Sequence, residues 1–246
     1  DLHAHVLALP LTLLVLAWSL AVVLGARRRS DLSEGLMHWG VGGLAIGALG
    51  ATNTWDLPTY MALGCVAVVW AQFRRGNSLD YYGTLLGAVA RVALLMALSA
   101  LFFGPYAIWY GAGYNAVELW RGSTTPLSAY LKIHGLFLFI IISFMVSETW
   151  LWMRFKTRKD FRVVKVLEST GVVAIPALFV IIAIFVLAGV QIAPLVLLVI
   201  VWAIVLILRP QQTTAKQVAL GLAVMALLLT VVVELLRLEG DISRMN

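Results

Sequence analysis

Residues that could move protons or hold a cation are few in this chain, and they come in short clusters. Asp1-Leu2-His3-Ala4-His5 sets one carboxylate and two imidazoles ahead of an apolar run. In an extended segment all three side chains share one side, and in a helix Asp1 and His5 share a face. Either arrangement suits a divalent ion (Mg, Mn or Zn) or an oriented general base. The plainer reading is a polar helix start at a membrane interface. A second cluster, Asn53-Thr54-Trp55-Asp56-Leu57-Pro58, interrupts an apolar stretch from Gly35 to Phe73. Pro58 lacks a backbone donor and disfavours helix at the residue before it, so the chain is expected to reverse there. Asp56 is then a candidate base at a helix–helix turn, with Asn53 and Trp55 as ligand contacts. As a purely structural turn, Asn53 and Asp56 would bond local amides and Trp55 would anchor at the headgroups.

Three further groups belong to the same inventory. The aromatic and polar stretch 104–127, with Tyr106, Trp109, Tyr110, Tyr114, Asn115, Glu118, Trp120 and Arg121, suits a sugar face or simply an aromatic belt. Lys132 and His134 open a later apolar run, where Lys132 could contact a phosphate or snorkel to the headgroups. Glu234, Arg237, Asp241 and Arg244 fall at steps of three, four and three, one stripe if a helix continues through them. Gly240 argues that the helix ends before Asp241, which would leave Arg244 in a loop able to grip a phosphate. Arg91 lies deep in an apolar run and is expected to face a helix bundle. Glu148 reads as a side chain reaching the interface.

What must position these residues is a set of membrane helices. Of the 246 residues, 62% are hydrophobic and 12% charged, and a mean hydropathy of +0.96 excludes an ordinary soluble domain. The spacing predicts an all-α polytopic transmembrane helical bundle of about eight membrane-spanning helices, over 6–25, 36–52, 59–73, 82–103, 128–153, 166–188, 192–208 and 217–236. Spanning helices need about 20 residues each. If Arg27–Arg29 is cytoplasmic, alternation places 13 of the 18 Lys and Arg residues on that side, as the positive-inside rule expects. The net charge of +6 is thereby a topology signal and not a mark of nucleic-acid binding. All the chemical clusters then share the opposite, extracytoplasmic side. Cys65, the single cysteine, offers no disulfide or cysteine-based metal site. Gly40, Gly42, Gly43, Gly47 and Gly50 line the helix before the Asn53 turn and allow close packing. The chain opens on Asp1, without an initiator methionine, and stops at Asn246, so a single helical domain from a longer protein is expected.

Asp1-Leu2-His3-Ala4-His5 running into Ala8-Leu9-Pro10, the Asn53-Thr54-Trp55-Asp56-x-Pro58 turn, Phe103–Tyr106 and the Gly240–Asn246 tail together resemble one family. It is the YYY family of large multi-pass membrane proteins, a domain of unknown function in archaea and Chloroflexi-type bacteria. The resemblance spans the whole chain. By its many helices and outer acidic motifs, that family is distantly similar to C-type (GT-C) glycosyltransferases, which use polyprenyl-phosphate sugars. The resemblance implies an integral protein of the prokaryotic cell membrane working at its extracytoplasmic face. Asp1 or Asp56 would be the base, assisted by His3 or His5. Trp55, Asn53, Tyr106, Lys132, His134, Asp241 and Arg244 would bind substrate. A divalent metal on Asp1, His3 and His5, or Arg121, Lys132 or Arg244, would meet the phosphate. Expected partners are membrane lipids, the polyprenyl-phosphate donor and other membrane subunits. The alternative is a non-catalytic subunit or scaffold of a larger membrane complex. A transporter is disfavoured, because no inverted repeat is visible and Arg91 is the one deep charge.

Overall fold

A computed structural model describes residues 4–25, 32–75, 80–109, 114–120, 122–154, 175–209 and 212–240. Among them are eight helices: α1 (Ala4–Leu24), α2 (Leu32–Thr52), α3 (Asp56–Arg75), α4 (Tyr81–Trp109), α5 (Leu127–Arg154), α6 (Ile175–Leu187), α7 (Ala193–Ile207) and α8 (Thr214–Leu235). Four stretches, Val6–Leu24, Tyr81–Tyr106, Leu127–Arg154 and Thr214–Leu235, are long and apolar enough to cross a membrane. This is an all-α membrane protein. Its outer helix faces fit that class, since Leu86, Val89 and Leu101 on α4, and Phe137, Phe139 and Ile140 on α5, are exposed. Lipid is the solvent such faces require. The chain divides into two compact units, residues 1–112 and 113–246.

In the first unit α2 packs on α1 and α4, and α3 packs on α1, α2 and α4. The glycines of α2 make this possible. A methyl group on Gly43 would fall 2.6 Å from Leu98 Cβ, and one on Gly47 would fall 2.7 Å from the Ser99 carbonyl. Gly42 lies under the Trp18 indole of α1, whose Nε1 donates to the His38 carbonyl at 2.8 Å. Gly40, by contrast, faces open space. Ile46, Leu49, Val68 and Leu95 fill the interior. The α2–α3 reversal sits at Asn53–Asp56, as Pro58 predicts. Helix α4 runs further than the expected 82–103. It passes through Pro105 to Trp109, and the Tyr106 hydroxyl donates to the Ala51 carbonyl at 3.4 Å, tying that turn to α2.

The second unit is organised on α7, which packs against α5 and α8. Ala193, Val196, Val199, Ile200, Ala203 and Leu206 bury one side of α7 among Leu138, Met145, Leu220 and Leu227. The α6–α7 turn uses Gly189 at φ +83°, a left-handed conformation suited to glycine, and its carbonyl accepts from Thr124 Oγ1 at 2.7 Å.

One element departs from the expected all-helical pattern. Tyr114–Leu119 (β1) pairs antiparallel with Leu236–Gly240 (β2), placing Val117 opposite Leu238 and Glu118 opposite Arg237, with a bulge between Tyr114 and Ala116. A helical stripe through Glu234 and Arg237 therefore does not form. Leu236 is already extended (φ −118°, ψ 139°), because Leu236-Arg237-Leu238-Glu239 alternates with the period of a strand and finds a partner edge.

Candidate functional site

Each unit sorts its polar side chains by end. In the first unit, the start of α1, the α2–α3 turn and the last turns of α4 lie together. At this end Asn53 is buried and donates from Nδ2 to Asp56 Oδ2 at 2.7 Å, while the Asp56 amide donates to the Asn53 carbonyl at 3.0 Å. Asp56 is half-buried in the first turn of α3, where the helix N-terminus favours a carboxylate. Trp55 is exposed beside it. Tyr106 reaches the same turn through Ala51. Thus Asn53 and Asp56 meet directly while Tyr106 is tied to the last turn of α2 at Ala51, and the Asn53–Asp56 bond gives the turn a structural role as well.

His5 lies in the first turn of α1, at the same end, but its side chain is outside the described residues, as are Asp1 and His3. Arg121, Asp241 and Arg244 lie outside them too. Among the described residues, no group of three His, Cys, Asp or Glu side chains is placed to hold a metal ion.

In the second unit the end away from Arg209 and Lys216 carries a cavity of about 290 Å³ between α5 and α8. Its polar lining is Thr125, Tyr130, His134, Thr230 and Glu234, and its apolar lining includes Ile133, Leu229 and Val233. The positions follow from helix geometry. Tyr130 and His134 are one turn apart on α5, with ring centroids 4.7 Å apart, and Thr230 and Glu234 are one turn apart on α8. Tyr130 and Thr230 share a hydrogen bond at 3.1 Å, which joins the two helices. Glu234 accepts from the Thr125 amide at 2.7 Å, so the carboxylate is held against the cavity wall. Carboxylate, imidazole and three hydroxyls lining one mostly apolar cavity can bind a hydroxyl-bearing ligand and exchange a proton with it. Lys132, two residues from His134, is exposed.

Sequence reasoning named His134 and singled out Glu234, the latter as part of a stripe with Arg237 that does not form. It missed Tyr130 and Thr230. Their signal was present as two pairs at i, i+4 on the apolar helices α5 and α8.

The opposite ends collect basic residues. In the second unit Glu148 is buried, with Lys216 Nζ donating to its Oε1 at 2.6 Å and Arg209 Nη1 3.9 Å from Oε2. The Arg209 guanidinium also lies 5.8 Å from the centre of the Trp152 ring. In the first unit Arg91 turns inward beside His38, Gln72 and Arg75, consistent with the expectation that it faces the bundle.

Comparison with known proteins yields one match: a family described as "Uncharacterized membrane protein (DUF2298)" matches residues 1–246. No curated protein and no solved structure matches the chain.

Proposed function

The chain belongs to the DUF2298 family of uncharacterized membrane proteins, and from that premise we propose that it is a membrane-embedded glycosyltransferase. In this reading it takes a sugar from a polyprenyl-phosphate donor at the extracytoplasmic face. The observation that carries the reading is the cavity where His134, Tyr130, Thr230 and Glu234 meet, at the end of its unit away from Lys216 and Arg209. The positive-inside rule assigns the basic end to the cytoplasm and hence this cavity to the outer face.

The chemistry asks for a base and for positive charge. A carboxylate takes the proton of an acceptor hydroxyl as its oxygen bonds to the anomeric carbon, and the bond from that carbon to the phosphate oxygen breaks. The lipid phosphate leaves with the electron pair. Glu234 with His134 is the base set offered by the cavity, and Asp56 and Asp1 are the acids of the outer turn and the N-terminus. In the second unit Lys132, Arg121 or Arg244 would neutralise the departing phosphate and Asp241 would bind substrate; in the first, Trp55, Asn53 and Tyr106 would bind substrate beside Asp56. A divalent ion held by Asp1, His3 and His5 would supply Lewis-acid neutralisation of the same charge.

The test is sugar transfer from radiolabelled polyprenyl-phosphate donors by the intact protein in nanodiscs. Transfer that falls in Glu234→Gln or Asp56→Asn while donor still binds supports the reading and selects the base. Absence of transfer across a broad donor panel would move the assignment to a non-catalytic subunit. That second reading has its own support, since Val117 and Leu119 on β1 are exposed and offer apolar side chains on which another membrane subunit could dock.

A further inference from the structure

The cavity between α5 and α8 has an apolar side that proton transfer alone does not require. Ile133, Leu229 and Val233 line it beside the polar groups. Ile133 and Val233 are also 67% and 64% exposed, and both lie in stretches long and apolar enough to cross a membrane. Residues that line a cavity and still show most of their surface form its rim. On a membrane-spanning stretch the medium at such a rim is lipid, so the cavity meets the bilayer sideways. Depth agrees with this. His134 is seven positions past Leu127, the start of α5, which is about 10 Å along the helix axis. Glu234 is one position before Leu235, the end of α8. The polar groups therefore occupy the end turns of both helices, the level at which a lipid's head meets its chains.

Apolar stripes continue from the rim toward the opposite end of the helices. On α5, Ile133, Phe137 and Ile140 are exposed and fall at steps of four and three. On α8, Val233, Leu229, Ala226 and Leu222 fall at steps of four, three and four, with Val233, Ala226 and Leu222 exposed. Such spacing keeps each set on one helix face. The polar wall, in turn, suits a hydroxyl. Glu234 accepts from the Thr125 amide at 2.7 Å, and a carboxylate, with about four acceptor sites, has capacity for a hydroxyl donor as well. The His134 ring beside Tyr130 can accept from or donate to the same hydroxyl. A cavity of about 290 Å³ stands at the lower edge of ligand-pocket sizes, roughly 300 Å³. That is room for a small head and not for a whole lipid.

We propose that this cavity receives the free hydroxyl head of an uncharged membrane lipid, which enters sideways between α5 and α8 and leaves its chains along the two apolar stripes. The inference rests on the transfer reading for the role of that lipid and not for its binding. In that role the lipid is the acceptor: its oxygen bonds to the anomeric carbon, its proton goes to the Glu234 carboxylate, and the donor's lipid phosphate leaves with the electron pair. A water-soluble alcohol would leave the apolar rim and stripes without a use.

The experiment is photolabelling of the purified full chain, in phosphatidylcholine nanodiscs, by a diacylglycerol with a diazirine in one acyl chain. Phosphatidylcholine brings no free hydroxyl of its own. Saturable labelling is expected, on the α5 segment around Ile133–Ile140 or the α8 segment around Leu222–Val233. Unlabelled diacylglycerol should compete, while free glycerol and the O-methyl ether of diacylglycerol should compete poorly. Glu234→Ala should weaken binding about tenfold, in line with loss of a hydrogen bond to a charged group. Ile133→Trp should remove most of the labelling by filling the rim with every polar group in place, and as a change at an exposed position it keeps the test intact if Glu234→Ala fails to fold. Phe139→Ala, at an exposed position on another face of α5, should leave labelling unchanged. The proposal is overturned if labelling does not saturate or maps elsewhere, or if free glycerol or the methyl ether competes as well as diacylglycerol. It is equally overturned if Ile133→Trp labels normally or Phe139→Ala loses as much as Ile133→Trp. Because labelling needs no turnover, failure of the transfer assay would leave this result standing. Transfer to a water-soluble acceptor without diacylglycerol binding would instead keep the base assignment and sink the lipid acceptor.

Discussion

Replacing Lys216 with methionine should destabilise the second unit more than replacing its partner Glu148 with glutamine. The Glu148 side chain is 4% exposed and the Lys216 side chain 36%. Removing Lys216 therefore strands a buried carboxylate, whereas neutralising Glu148 leaves a lysine that can reach solvent. Breaking a buried pair typically costs about 3–5 kcal/mol. Arg209 at 3.9 Å still compensates part of the charge, so about 2–3 kcal/mol is expected for Lys216→Met, starting from that range. Glu148→Gln keeps the shape of the side chain and some of its hydrogen bonding, and about 1 kcal/mol is expected, the net worth of one hydrogen bond. The double variant should cost no more than Lys216→Met alone, a coupling of about 1 kcal/mol or more for groups in contact. Reversible unfolding in mixed detergent micelles provides the measurement. Trp202 is a local reporter, since its Nε1 donates to Thr149 Oγ1 at 3.0 Å, next to Glu148. If Glu148→Gln costs as much as Lys216→Met, or if the two losses simply add, the buried-carboxylate argument is wrong.

Three further outcomes are expected. Gly43→Ala and Gly47→Ala should each destabilise the first unit by about 1–3 kcal/mol through overpacking against α4, while Gly40→Ala, facing open space, should be neutral or slightly stabilising; thermal unfolding in detergent would rank them. A cysteine at Ser123, an exposed position, should react with a membrane-impermeant thiol reagent in intact cells and one at Ser30 should not, and equal labelling would remove the orientation on which the proposed site rests. Transfer activity should fall by about a hundredfold or more when the working base is neutralised, the usual scale of general base catalysis; full activity in Glu234→Gln, Asp56→Asn and Asp1→Asn alike would leave the proposed reaction without a base.

The membrane class and the reversal at Asn53–Pro58 were legible in the chain itself. Each rests on a local property: hydropathy over a spanning length, and the missing donor and steric demand of Pro58. The glycine face of α2 was legible for the same reason, although only the structure distinguishes Gly43 and Gly47, pressed against α4, from Gly40, which faces open space. The alternation Leu236-Arg237-Leu238-Glu239 carried a strand signal, but a strand needs a partner, and that partner is more than a hundred residues earlier at Tyr114–Leu119. Tertiary structure alone decided which side chains meet: Tyr130 with Thr230, Glu148 with Lys216 and Arg209, Arg91 with Gln72 and Arg75 around one cavity. The physical reason is that helices apolar on nearly every side carry little periodic information about their rotation. Depth and facing are set by packing against helices distant in sequence, and it is that packing which turns scattered polar residues into sites.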